Sequence, residues 1–270
     1  MSTTFSGQYP IERREGEIER LLIQGEAMAP DTREMLARIG VGLGWKCLDL
    51  GCGPEGITRL MSDAVGATGS VLGLDMDEDF LGYARVSAPE NVTFQRGDAY
   101  ATGLPDETFD LVHMRFLACT AGDPEALLSE ALRLSRPGGV VAMQESDLRS
   151  LNAYPPHPAF DRLRDMLIGA FQGVGADATF AHNLYAMARR LGLEEVAYRT
   201  CMLGVTPFDP VVDYLPSTVE SVRGTILSLG LATESGLAAD LRDCRAHLQN
   251  PDTVFTMFTV VQVWGRKGVR

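Results

Sequence analysis

The chain lacks a surplus of positive charge. Its 270 residues include 24 Lys and Arg against 36 Asp and Glu, a net charge of −12. Holding a nucleic-acid backbone requires clustered basic residues that displace counterions, so no nucleic-acid partner is expected. An anionic membrane surface is disfavoured for the same reason. The basic cluster at the end, Arg266-Lys267-Gly268-Val269-Arg270, reads as a solvated tail. No apolar run approaches the roughly 20 residues of a membrane span. Val254 to Trp264 is apolar but short and β-branched, which reads as a strand. Residues 12–20 (ERREGEIER) are charged where a secretory leader needs an apolar segment, so none is expected. The five cysteines are odd in number and have no C-x-x-C spacing, which points to a reducing, cytoplasmic setting. The four histidines are scattered, so no metal site is expected. Repeats and low-complexity segments are also lacking.

What remains is an ordinary globular composition, 45% apolar, carrying one ordered set of motifs. WKCLDLGCGPEGITRL occupies residues 45–60, LGLDMD residues 72–77 and GDAYATGLPDETFDLVHMR residues 97–115. Lys46 to Leu50 is a short strand with Asp49 near its end. Gly51 and Gly53 permit a sharp turn and leave no Cβ between main chain and ligand. Ile57 to Ala64 reads as the helix that the turn opens. Val71 to Leu74 is a second strand with Asp75 at its tip, where a carboxylate can accept both hydroxyls of a ribose. Asn91 to Gln95 is a third strand, followed by Gly97-Asp98-Ala99, where an acid beside a backbone N–H can read an adenine edge. Three strands thus deliver polar groups to one edge of a parallel sheet, the edge at which open α/β sheets bind ligands.

Gly51-x-Gly53-x-x-Gly56 also fits the dinucleotide fingerprint. Asp49, Asp98 and LRLSRPGGVVAMQESD (residues 132–147) argue against an NAD-linked oxidoreductase. Together these residues resemble the class I S-adenosylmethionine-dependent methyltransferases, over roughly Cys47 to Asp147. Asp49-x-Gly51-x-Gly53, Asp75, Gly97-Asp98-Ala99, Phe109-Asp110-Leu111-Val112 and Arg136-Pro137-Gly138-Gly139 carry the resemblance. It implies a Rossmann-like seven-stranded α/β sheet of order 3-2-1-4-5-7-6, strand 7 antiparallel, with a helical N-terminal lid and helical cap insertions. It places Asp49 and Gly51 near the methionine amino end, Asp75 at the ribose, and Asp98 with Ala99 at the adenine. The backbone at Arg115 would line the methionine and sulfonium region, with Cys52, Gly53, Met76 and Gly97 completing the cofactor positions. Glu55 stands where the family pattern has its third glycine, and the cofactor is expected to bind despite it.

The organisation that follows is residues 1–44 as a helical lid, 45–147 as the cofactor-binding core, and 148–270 as substrate cap helices plus strands 6 and 7. Residues 11–24 form an amphipathic helix candidate with Ile18, Leu21 and Leu22 on one face. Asp31 is expected to cap a second helix that Gly40 closes. ERLLIQGEAMAP (residues 19–30) resembles the helix preceding the core in small-molecule members, which suggests Gln24 as a contact to the methionine carboxylate; Tyr9 is a candidate gate. Beyond the fifth strand, Phe160 to Phe171 and Phe180 to Leu191 are helical in period. Glu194 to Leu203 reads as strand 6, Asp209 to Leu248 as helical, and Thr253 to Trp264 as one long final strand.

Candidate bases follow strand 5: Glu145 first, then His157, with Asp147 and His182 nearby. The resemblance puts Thr120 where related members often carry a histidine. The expected acceptor is a small apolar or aromatic molecule, in a pocket lined by Met166, Leu167, Phe171, Phe180, Leu184 and Met187. The resemblance extends to quinone- and polyketide-tailoring members. A same-fold protein that binds the cofactor without methylating remains an alternative. Either set of added helices could mediate a homodimer.

Overall fold

A computed structural model describes residues 16–54, 56–120 and 122–269; Tyr9 and Glu55 therefore lie outside the described residues. Two helices, α1 (Glu17–Ala27) and α2 (Ala29–Ile39), precede β1 (Lys46–Leu50). Then come α3 (Thr58–Val65), β2 (Ser70–Asp75), α4 (Glu78–Val86), β3 (Val92–Arg96), β4 (Phe109–Arg115), α5 (Pro124–Leu134) and β5 (Ser135–Asp147). The remainder comprises β6 (Asn152–Tyr154), α6 (Pro158–Gly173), α7 (Leu184–Arg190), β7 (Leu193–Cys201) and β8 (Gly204–Val205). It ends with α8 (Tyr214–Ser221), α9 (Arg223–Ser228), α10 (Glu234–Leu248), β9 (Val254–Thr256) and β10 (Thr259–Lys267).

The main sheet has seven strands in the order β3-β2-β1-β4-β5-β10-β7. Strands β1 to β5 pair in parallel, and β10 runs antiparallel between β5 and β7. This is the expected order. The central strands are buried on both faces, which is why β1, β4 and β5 read as near-continuous apolar runs. Local capping sets the crossover helices. Asp77 accepts the N–H groups of Asp79 and Phe80 to start α4, and Asp123 accepts that of Ala126 beside Pro124 to start α5.

The structure differs from expectation at the chain ends. Ile18, Leu21 and Leu22 are only partly buried; α1 instead buries Glu17 and Gln24. Their oxygens are satisfied by Arg20 and Ser221, so a polar stripe forms the seam with α8. Asp31 lies within the first turn of α2 rather than at its cap, while Gly40 closes that helix at φ 80 as expected. The anticipated final strand breaks at Met257-Phe258. Its first part, β9, joins a separate three-stranded sheet of order β6-β9-β8.

Two large cores result. Phe160, Leu163, Leu167 and Phe171 of α6 pack with α8, α9, α10 and β9. Leu184, Met187 and Ala188 of α7 pack instead on the main sheet with Met143, Val261 and Val263. Helices α8 to α10 occupy the chain between β7 and β10, where an inserted helical cap was expected. None of the helices among the described residues is long and apolar enough to cross a membrane.

Gly73 links this packing to the motif edge. It sits opposite Asp49 on β1 and Phe94 on β3, and a Cβ there would stand 2.6 Å from the Phe94 ring and 2.9 Å from Cys52 Sγ. We predict that Gly73→Ala lowers stability by about 1–3 kcal/mol through overpacking. A urea unfolding midpoint equal to wild type would refute this.

Candidate functional site

The carboxyl ends of β1, β2, β3 and β4 form one edge. Gly51 and Gly53 turn the chain after β1 at φ 67 and 60. The N–H groups of Gly51 and Cys52 both donate to Leu74 O, at 2.7 and 3.1 Å, which ties the turn to β2. Gly53 N–H donates to Asp75 Oδ2 at 2.8 Å, and Asp77 N–H donates to Asp75 Oδ1 at 2.9 Å. Burial raises the Asp75 pKa, opposed by these backbone donors. Gly97 N–H donates to Asp75 O at 3.0 Å, bringing the third motif against the second. Asp98 is exposed and accepts Tyr100 N–H at 2.9 Å, while Ala99 is buried. Met76 projects into solvent, 67% exposed. Cys52 is buried and its thiol pKa is raised by burial; its side chain packs inward while its backbone forms the turn.

Asp49 has a different role from the other two acids. It is buried in β1 with its Oδ1 2.8 Å from His113 Nδ1 on β4, and its Oδ2 accepts Ile57 N–H at 3.4 Å. The network continues sideways. Gln144 Nε2 lies 3.1 Å from His113 Nε2, while Gln144 Oε1 accepts from Thr32 Oγ1 and from Gln262 Nε2. His113 is thus held at both ring nitrogens, by Asp49 at Nδ1 and by Gln144 at Nε2. Four strands and α2 are joined: Asp49 lies opposite His113 and Gln144 opposite Gln262, while His113 reaches Gln144 diagonally from its place opposite Ala142. His113 and Gln144 fall within the quoted stretches 97–115 and 132–147 but are not among the residues that carry the resemblance; their trace in the sequence is a polar residue within an apolar strand.

The segment after β4 is held from β5. Glu145 is wholly buried, and its carboxylate accepts the N–H groups of Leu117, Ala118 and Cys119 at 3.1, 2.7 and 3.2 Å. Phe116 adopts φ 54, a left-handed conformation that is costly for an aromatic residue. Thr120 Oγ1 donates to Leu117 O at 2.9 Å and closes the turn. Leu117 is thereby laid over Gly51, where a Cβ would stand 2.9 Å from its Cδ1.

These contacts define the surroundings of each candidate base. Glu145 is engaged by backbone donors on both oxygens and acts as the anchor of the turn. His157 caps α6 by accepting Ala159 N–H and stacks on His247 at 4.5 Å, so its neighbours are not residues of the motif edge. Asp147 and His182 pair with each other, with Arg149 and Tyr198 as further partners. Gln24 receives a hydrogen bond from Arg20 and lines a cavity of about 180 Å³ with Ile23, Val211, Tyr214 and Ser217.

A second, small cavity lies beside Arg115 and Phe116, bounded by Met28, Asp31, Gln144, Leu203, Met257 and Phe258. The apolar residues expected to line a pocket are not among these; Leu167, Phe171, Leu184 and Met187 are core residues. Phe258 instead meets Phe116 edge-on at 5.5 Å and Tyr214 at 5.4 Å.

Residues 48–143 match the family described as a methyltransferase domain. That match runs from β1 to most of β5, the part of the chain that holds the motif edge. A demethylmenaquinone methyltransferase of Staphylococcus aureus is 34% identical over 124 residues, covering 45% of this chain and 52% of that protein. The chain therefore spans about half the length of the curated relatives it matches. The crystal structure of the YcgJ protein of Bacillus subtilis superposes with a TM-score of 0.57 at 18% identity, covering 87% of this chain and 97% of that one. A Haemonchus contortus phosphoethanolamine N-methyltransferase 2, in complex with phosphomonomethylethanolamine and S-adenosylhomocysteine, superposes at 0.55 with 19% identity, covering 88% and 52%. These two likenesses establish the shared fold.

Glu145 yields a pH prediction. Burial raises its pKa from 4.5 to about 7. Ionisation is thus harder in the folded chain, so stability from this group is full below pH 4.5 and declines as pH rises through 7. Glu145→Gln removes the titration. The wild-type minus variant unfolding free energy should fall by about 2 kcal/mol between pH 5 and pH 7.5; a difference independent of pH would exclude the assignment.

Proposed function

We propose that the protein transfers a methyl group from S-adenosylmethionine to a small apolar or aromatic metabolite. The observation that carries this reading is the bond from Gly53 N–H to Asp75, with Gly97 bonded to the same residue. It joins the three motifs into one continuous edge. Asp75 would hold the ribose hydroxyls, and Asp98 with Ala99 the adenine. The turn at Gly51, Cys52 and Gly53 would receive the methionine portion; a Cβ on Gly53 would meet nothing within 4 Å, so a ligand can approach that backbone closely. Exposed Met76 would fold against the nucleoside.

The cofactor supplies a methyl group already activated on a sulfonium, so transfer is an in-line displacement. The protein's part is alignment and exclusion of water, and alignment alone supplies effective molarities on the order of 10⁵–10⁸ M. Glu145 contributes by fixing the turn that carries Phe116 and Leu117. The apolar lining of Met28, Phe116, Leu203, Met257 and Phe258 supports an apolar or aromatic acceptor, as does the similarity to an enzyme of demethylmenaquinone. Asp31, which lines the same cavity, is the carboxylate placed to accept a proton where the acceptor must lose one.

Calorimetric titration with S-adenosylmethionine, S-adenosylhomocysteine and NADH tests the cofactor. Binding of the first two and not of NADH is expected. Asp75→Ala should weaken S-adenosylhomocysteine by about 10-fold or more, as loss of charge-assisted hydrogen bonds does, with an unchanged circular dichroism spectrum. An unchanged Kd removes Asp75 from the ribose site. Turnover is then sought with demethylated quinones and phenols as acceptors.

A further inference from the structure

We propose that the cavity between α1 and α8 seats an uncharged, ring-sized molecule whose carbonyl or hydroxyl oxygen accepts from the Gln24 amide. On the methyl-transfer reading above, on which this role rests, that molecule is the methyl acceptor. Gln24 is only 8% exposed and lines the cavity. The orientation of its amide is fixed. Arg20 Nη1 can only donate, so the Gln24 atom 3.2 Å away is Oε1. Nε2 is left, and among the described residues it has no hydrogen-bond partner. An enclosed amide N–H without a partner is costly, and an oxygen on a ligand satisfies it.

Charge and size narrow the ligand. Arg20 donates to both Glu17 oxygens at 2.9 and 2.6 Å, and Arg245 to both Asp213 oxygens at 2.8 and 2.9 Å. Ser217 Oγ donates to Asp213 Oδ2 at 2.6 Å. The wall thus pairs its own charges. Glu19, also on the lining, is exposed and opposes an anion. Ile23, Val211 and Tyr214 supply an apolar and aromatic surface. The volume of about 180 Å³ exceeds the roughly 150 Å³ of an apolar cavity that takes up benzene.

Position ties this cavity to the motif edge. Gly25 lies against Arg115 at the end of β4, where a Cβ would stand 3.5 Å from Nη2. Tyr214 meets Phe258 at 5.4 Å and Phe258 meets Phe116 at 5.5 Å, so an aromatic row runs from the cavity to the residue that follows β4. Ile23 and Gln24 line this cavity, and Ala27 and Met28, one turn further along α1, line the smaller one where Asp31 stands.

The test is titration of the full chain with four ring compounds of similar size, followed by the amide NMR signals of α1 and α8. Acetophenone carries the acceptor oxygen, α-methylstyrene replaces that oxygen by carbon, benzoate is an anion and benzylamine a cation. Wild type should bind acetophenone about 3- to 10-fold more tightly than α-methylstyrene, and both charged compounds more weakly still. Gln24→Leu should bind acetophenone and α-methylstyrene alike and keep the wild-type Kd for S-adenosylhomocysteine. Gln24→Glu, which still accepts from Arg20, covers the case in which the leucine variant does not fold, and it too should lose the preference. Benzoate or benzylamine binding as tightly as acetophenone, or a preference for acetophenone that survives both substitutions, overturns the proposal. A Kd for S-adenosylhomocysteine that rises in Gln24→Leu places the amide on the cofactor and overturns it as well. If S-adenosylhomocysteine binds and no ring compound does, the ring site fails while the cofactor reading stands. If acetophenone binds with the stated preference and S-adenosylhomocysteine does not bind, the methyl-transfer reading fails and with it the acceptor role.

Discussion

The buried carboxylate of Asp49 is the constraint around which the motif edge is arranged. A carboxyl group inside a parallel sheet is tolerated only when its oxygens are satisfied. His113 and the Ile57 N–H do this, so the start of α3 and the middle of β4 are both referred to the end of β1. Space is equally restricted. A Cβ on Gly56 would lie 2.7 Å from Asp49 Oδ2 and 2.3 Å from Cys52 O, which makes Gly56 the sterically required glycine of the turn's far end. Through Gln144 the same network reaches Thr32 and Gln262, and so sets α2 against four strands at once.

A second carboxylate holds the opposite wall. Glu145 gathers three successive N–H groups that would otherwise be buried without partners, and Phe116 is kept in a conformation that costs on the order of 1–3 kcal/mol. Strain of this kind persists only where the surroundings over-determine it. Here the Phe116 N–H bonds Gln144 O on β5 at 2.8 Å, and Thr120 closes the turn on its other side. Two buried acids therefore build the frame, and two less enclosed ones, Asp75 and Asp98, lie at the strand edge.

The added helices rest on a core of their own. Helix α6 packs with α8, α9 and α10, and the β6-β9-β8 sheet attaches that core to the chain entering β10. The break at Met257-Phe258 serves this arrangement. It turns β9 out of the main sheet and leaves Phe258 beside Phe116 and Tyr214, where the second core meets the end of β4.

The glycine turn and the acids at strand tips were legible because they depend on short-range rules, and the strand order came with the family resemblance that those motifs carry. Glycine content determines where the backbone turns, continuous apolar runs mark strands buried on both faces, and a residue after a strand must emerge at its carboxyl edge. The pairing of Asp49 with His113 and the capture of the 117–119 backbone by Glu145 depend on register between segments 26 to 64 residues apart. A sequence does not display which of its polar residues will face one another across a sheet. Glu145 looked like a base because it ends a strand at the right edge; only packing revealed that three backbone donors already occupy it. His157 looked available in a proline-rich loop, yet the helix beginning at Pro158 draws it in as a cap. The amino-acid sequence determined which elements form and in what order. Tertiary structure decided which polar groups are satisfied and by what, because satisfaction is a property of the neighbours and not of the residue.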